Sequence, residues 1–285
     1  MGETTKTYGK KTSYVREFDS LNEFEQYITN TPINKAFQWK KLQSVEHGYK
    51  FTQTQSYEEA TELFKNGWND MAQKLTKKLN VIKNQVVDAQ VQKILYDVVG
   101  FQCSVPRYLQ GIPTSMVNKK LVPVKQRVIT LNKDISYNAF TTTEEIVEAS
   151  TQTLQLIKKI EAQGIRVNLN LIFGSTAGST KEVVKIRLKS ANERLNVSKL
   201  AFPLVHPSML RRLLFRYMET APTVTSEYTW GYGKPLDGSQ LKTHCKDEYV
   251  LPRLFDGDIS KLGDLTTICN LTDQIVNGKN DKAKF

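Results

Sequence analysis

Asp134, Ser136 and Asn138 occupy alternate positions of the segment LNKDISYN, directly after a run of β-branched residues. A strand that delivers a carboxylate and hydroxyls into a loop ahead of a helix offers oxygen ligands to a hard cation such as Mg²⁺. Asp and Asn are also ordinary turn residues that bind nothing. A second constellation is cationic. From Lys181 to Arg216 nine cationic residues stand against only Glu182 and Glu193, which gives this stretch +7 of the chain's net +11. Lys185, Arg187 and Lys189 alternate with Val184, Ile186 and Leu188. On a strand the three cations share one face at intervals of about 7 Å, close to the phosphate repeat of a nucleic-acid strand. Arg211, Arg212 and Arg216 follow, with Glu219 three residues beyond Arg216 and placed to pair with it on a helix. These six are the candidate nucleic-acid-binding residues. The alternative is a solvated strand face beside an internally paired helix. Tyr217, Tyr228, Trp230 and Tyr232 lie nearby and can either stack on bases or fill a core.

Other chemistry has little material. The segment FGSTAGSTK (173–181) imitates a phosphate loop, but the spacing of Gly174 and Gly178 is wrong and Lys181 follows the hydroxyls. A phosphate loop needs its lysine at a helix start; a connection between two strands is the simpler account. His47, His206 and His244 are the only histidines, and Cys103, Cys245 and Cys269 are far apart with no CxxC. That excludes a Cys/His zinc site from the local pattern. The neighbours His244 and Cys245 are the one nucleophile–base candidate, although adjacent side chains rarely point the same way. No Ser-His-Asp set, carboxylate pair or dinucleotide fingerprint occurs, so a non-enzymatic binding protein with no required cofactor is expected, Mg²⁺ at Asp134 being the exception to test.

Elements must position these groups. Asp19 or Ser20 caps a helix carrying Leu21, Phe24 and Ile28, and Ser56 with Glu59 forms a capping box before Ala60, Leu63 and Phe64. Residues 39–51 suggest short strands, 74–99 a further helix, and 100–116 an irregular loop with two prolines. Beyond it, 122–131 reads as a strand, 143–160 as a helix ended by Gly164, and 166–173 and 183–189 as alternating strands. Pro207 opens a helix through Glu219, and a strand at 249–255 precedes a helix at 262–276. The expected organisation is a flexible basic arm (1–18), a mainly helical region (19–118), a three-layer α/β domain (119–277) and a charged tail (278–285).

A hydrophobic fraction of 39% with a mean hydropathy of −0.43 suits a chain with a real core. No apolar run reaches the roughly 18–20 residues that span a bilayer, and residues 1–20 contain no signal-peptide h-region. With few cysteines, a reducing compartment is expected. A net charge of +11 directs attention to nucleic acid, anionic lipid or acidic proteins as partners.

Two resemblances follow from particular residues. SYEEATELFKNGW (56–68), VGFQCSVPRYLQGIPTSM (99–116), LIKKIEAQGIRVNLNLI (156–172) and LKSANERLNVSKLAFPLVHPSMLRRLLFRYME (188–219) resemble an uncharacterised protein family of tailed bacteriophages over roughly residues 18–260. That resemblance implies a viral origin, with a bacterial host cytoplasm or a virion as the setting, and transfers no activity; the basic cluster makes nucleic acid the expected partner, a host or phage protein being the alternative. The order strand, Asp134-x-Ser136-x-Asn138 loop, long helix, strand resembles a von Willebrand A-like domain. It implies a metal-ion-dependent adhesion site, from which this chain departs by having Asn138 at the last hydroxyl position; Asp256 or Asp258 would supply the second carboxylate.

Overall fold

A computed structural model of the chain describes residues 2–8, 11–37, 41–79, 90–123, 127–224, 232–246 and 248–251. The chain begins with two strands, β1 (Gly2–Tyr8) and β2 (Lys11–Phe18), where a flexible arm is expected. They pair antiparallel, and β2 then lies parallel to β8 (Thr180–Lys189), with Val15 opposite Val183 and Phe18 opposite Ile186. The Lys- and Thr-rich composition read as a mobile arm is that of a charged edge strand. Val15 and Phe18 bury apolar side chains and fix the register.

Helix α1 (Leu21–Asn30) starts where expected, the Ser20 hydroxyl accepting the Glu23 N–H at 3.1 Å. The stretch expected to hold short strands instead makes two single-turn helices, α2 (Gln43–Glu46) and α3 (Tyr49–Thr52). Helices α4 (Tyr57–Asn66) and α5 (Asn69–Leu79) follow, and the helix anticipated through residue 99 does not extend over residues 90–97. Residues 90–97 form β3 (Gln90–Asp97), whose Val, Ile and Tyr content suits a pleated surface better than a helix. The expected loop contains β4 (Gln102–Cys103) and α6 (Val105–Leu109). Next comes β5 (Met116–Pro123), and the order β3-β5-β4 makes a separate three-stranded antiparallel sheet. A boundary at residue 118 would therefore cut through β5.

The main sheet is mixed. Strand β6 (Val128–Asp134) leads through α7 (Thr143–Glu161) to β7 (Arg166–Ala177), which is parallel to β6. A two-residue turn at Gly178 and Ser179 then returns the chain antiparallel along β8. Gly178 has φ +57°, the left-handed geometry that such tight hairpins require. The phosphate-loop imitation is thus the end of β7 and this turn. Helix α8 (Val197–Val205), a π-helical stretch (Met209–Leu214) and α9 (Phe215–Thr220) come next. A short β9 (Lys234–Pro235) pairs with β7, α10 (Gly238–Lys242) follows, and β10 (Tyr249–Leu251) lies parallel to β6 on its other side. Sheet order is β1-β2-β8-β7-β6-β10. The helix expected at 262–276, Asp256, Asp258 and the tail at 278–285 lie outside the described residues.

The strand faces explain the layers. Leu131, Val167, Leu169, Leu171, Val184, Ile186 and Leu188 form one core with Phe24, Leu75, Leu154, Ile157, Phe202 and Tyr217 from the helices. The opposite face carries a smaller core of Val15, Ile172, Val183, Leu236, Leu241 and Cys245 beneath α10. The chain is thus an α/β protein whose strands and helices alternate in its later part.

Candidate functional site

Strand β6 ends at Asp134, between β7 on one side and β10 on the other. The chain passes from β6 to β7 through α7 but reaches β10 only after β8 and the later helices. Such a topological switch point opens a crevice beyond the carboxyl ends of parallel strands, where open α/β sheets hold ligands. Asp134 Oδ1 accepts the Ser136 N–H at 2.8 Å, and Asn138 Oδ1 accepts the Phe140 N–H at 2.9 Å and the Thr141 hydroxyl at 3.0 Å. Both side chains thereby shape the loop as Asx turns do. Thr142 and Glu145 then close a reciprocal capping box that starts α7. Ser136 Oγ is buried and makes no hydrogen bond.

Across this loop stands Arg211, brought there by the π-helical stretch, a geometry that recurs at functional sites. Its guanidinium donates to the carbonyls of Phe51 (2.6 Å), Asn138 (3.0 Å) and Ala139 (3.4 Å). It lies 4.2 Å from the Phe51 ring centroid and 5.1 Å from that of Tyr137. Every hydrogen-bond acceptor is neutral, and among the described residues no carboxylate pairs with it. Three of its five N–H groups are engaged, which leaves two for a ligand. Burial draws its pKa down, with Tyr137 opposing, yet a guanidinium remains charged at neutral pH.

Arg211, Ser136, Gln43, Phe51, Phe215 and Tyr232 line a cleft of about 490 Å³ whose walls are mainly apolar. That is within the usual range of about 300–1,000 Å³ for ligand sites. Gly233, at φ +87°, closes one wall; a Cβ there would meet Ser175 Oγ at 2.4 Å. The His47 ring packs at a tilt against Phe51, and burial followed by the charges of Arg212 and Arg211 lowers its pKa, so the wall gains no second cation at neutral pH. Lys133, on the opposite face of β6 from Asp134, is pulled down to about 8 by burial against the attraction of that carboxylate.

The von Willebrand A-like resemblance would put Mg²⁺ at this loop, but the residues present do not fit it. Asn138, at the third ligand position, gives its oxygen to its own loop. The guanidinium of Arg211 brings fixed positive charge to the same main-chain carbonyls. Among the described residues no three His, Cys, Asp or Glu side chains gather as metal ligands do.

The six cations expected to contact nucleic acid are dispersed, and most are enclosed. Lys185 is buried between Glu248 at 3.0 Å and Glu17 at 3.4 Å. Lys189 is 2% exposed, with Glu161 at 2.7 Å and the Val167 carbonyl at 3.0 Å. Arg212 is fully buried and donates to Thr54 Oγ1 and Thr52 Oγ1 and to the carbonyls of Ser44, His47 and Thr54. Arg216 faces Glu219 at 3.6 Å, the pairing foreseen. Only Arg187 is substantially exposed, and it stands 3.7 Å from Asp19. Lys185, Arg187 and Lys189 are therefore not an open phosphate-binding face: carboxylates remote in sequence occupy it.

Cys245 is equally enclosed. Burial raises its thiol to about 11, so it stays protonated at neutral pH and is no nucleophile.

The residues that sequence reasoning missed are those that complete the cleft, above all Gln43, Phe51 and Arg211 in its ligand-facing role. Only the Arg-Arg doublet carried a local signal. Fold and cleft together define an α/β protein with a largely apolar site at the carboxyl end of its parallel strands. The chain belongs to the family described as "Domain of unknown function (DUF7192)", whose profile matches residues 3–273. Searches of curated proteins and of solved structures find no significant match. No helix among the described residues is long and apolar enough to cross a membrane.

Proposed function

We propose that this chain is a non-enzymatic protein-interaction module that captures an acidic side chain of its partner in the cleft between the 134–141 loop and Arg211. The observation that carries this reading is Arg211 itself, a buried guanidinium held only by neutral carbonyls in the wall of an apolar cleft. An anion entering there completes a charge-assisted, bidentate pair, and the aromatic walls favour an apolar or aromatic residue beside it. Ser136 Oγ supplies a further donor. The order β6, loop, α7, β7, with β10 parallel on the far side of β6, supports a von Willebrand A-like arrangement in which a guanidinium takes the place of a cation. The setting that goes with it is the bacterial cytoplasm or virion implied by the phage resemblance.

Nucleic acid fits less well, because five of the six residues that suggested it are buried or partly buried within the fold and the sixth, Arg187, faces Asp19. The test is a display library of short peptides with Asp or Glu next to Phe or Leu, followed by titration of the best binder and its Asn or Gln counterpart. The acidic form is expected to bind at least about tenfold more tightly, the factor of a single charged hydrogen bond, and Arg211→Lys to weaken it. Equal binding of the acid and amide forms, or no enrichment of acidic sequences, overturns the reading.

A further inference from the structure

The β3-β5-β4 sheet is built unlike the rest of the molecule. Between residues 94 and 119 only Ser115 is buried, so this part of the unit buries no apolar side chain. Nine of the thirteen exposed large apolar side chains among the described residues fall between Ile94 and Leu109. Together they present on the order of 1,000 Å², where the largest patch on a typical monomer is about 300–600 Å². The open surface lies on both sides of the sheet, since Ile94 and Tyr96 point to one face and Leu95 to the other.

Strand β3 is also an open edge. Among the described residues it is paired only with β5, through eight consecutive positions without a bulge. It contains no proline, glycine or bulge to blunt the edge, its charged residues being Lys93 and Asp97. A small sheet gains stability from additional strands that carry an apolar face or from packing against a helix.

We propose that this unit is a dimerisation element, in which β3 pairs antiparallel with β3 of a second copy about a two-fold axis through Leu95. That register sets Leu95 opposite Leu95 and, on the other face, Ile94 opposite Tyr96 twice. These aliphatic and aliphatic–aromatic cross-strand pairs are the stabilising kinds. An edge that complements itself meets the requirement of an isologous interface, and six strands then form one continuous sheet. The pairing brings Ile94, Leu95 and Tyr96 of the two copies together at the seam. Nucleic acid is disfavoured as the occupant: six of the nine side chains are aliphatic, and two of the three rings already carry a cation. Arg107 sits 4.3 Å over Tyr96 and Lys119 5.1 Å over Phe101.

Light scattering coupled to gel filtration of the full chain should give twice the 32.5 kDa chain mass. Leu95→Lys should give the chain mass with the main melting transition retained, and Leu95→Val should remain dimeric. In a Cys103→Ser, Cys269→Ser background, Leu95→Cys should oxidise to a disulfide-linked dimer, because the two Cβ atoms face each other at about 5 Å. Val105→Cys, on α6, should not. A monomeric wild type, a dimer that survives Leu95→Lys, or Leu95→Cys that stays unlinked overturns the proposal. So does retention of a fluorescent oligothymidylate that depends on Leu95, which would reassign the surface to nucleic acid.

Discussion

Lys189 and Arg187 stand two positions apart on one strand, yet they occupy different media. Arg187 keeps water on its guanidinium, whereas Lys189 is enclosed by Glu161 and two carbonyls. Removing one partner of a buried pair strands the other charge, so Lys189→Ala should cost about 3–5 kcal/mol by urea denaturation. Arg187→Glu should stay within about 0.5 kcal/mol, as surface substitutions do. His206 offers a pH-dependent case. Its Nδ1 accepts the Ser208 N–H at 3.1 Å, its ring stacks 4.8 Å from Phe202, and burial pushes its pKa down to about 4. Between about pH 6.5 and 4 the unfolded chain therefore binds a proton that the folded chain refuses. Stability falls as the pH drops across that window, by roughly 3 kcal/mol in all. Urea midpoints should show this loss in the wild type and a smaller one in His206→Asn, which retains an acceptor. Equal slopes in the two proteins would remove His206 as the cause.

The elements differ in how far local pattern reveals them. Helices α1, α4 and α7 announce themselves through caps and apolar spacing, as do β7 and β8 through alternation. Strands β1 and β2 were hidden because Lys- and Thr-rich strands at the margin of a sheet have the composition of a tail; only the pairing of β2 with β8 discloses them. The burial of β2 predicts that Phe18→Ala, which opens a cavity beside Phe24 and Tyr217, lowers stability by about 3–5 kcal/mol in chemical denaturation. Gly174 makes the complementary point. A Cβ there would meet Leu241 at 2.7 Å and Leu236 at 2.8 Å, so Gly174→Ala should overpack the smaller core at a cost of about 1–3 kcal/mol, read as a lower melting temperature. The segment holding α2 and α3 was misread because neither single turn has a periodic pattern. It is organised from outside, by Arg212 collecting carbonyls and hydroxyls between Ser44 and Thr54. Arg212→Met should therefore loosen this segment first, visible as faster amide exchange at residues 43–54.

At the scale of the whole molecule, charge was the feature most open to misreading. The excess of +7 between Lys181 and Arg216 is real, but Glu17, Asp19, Glu161, Glu219 and Glu248 meet it from other parts of the chain. At low salt, retention on heparin should consequently survive Arg187→Glu with little change in elution, because this strand face is not where the net charge acts. A large drop in elution salt would restore the phosphate-binding face. The sequence by itself determined the α/β class, the strand-to-strand connection of β7 and β8, the starts of α1, α4 and α7, and the turn-forming character of Asp134 and Asn138. These depend on neighbours within a few residues, where periodicity, capping and φ preference act. Tertiary structure alone decided which cations are enclosed, that the first strands complete the sheet, and that Gln43, Phe51 and Arg211 share one cleft with Ser136. Burial and Coulomb pairing depend on distance in space, and residues that enclose these cations lie as many as 168 positions away in the chain.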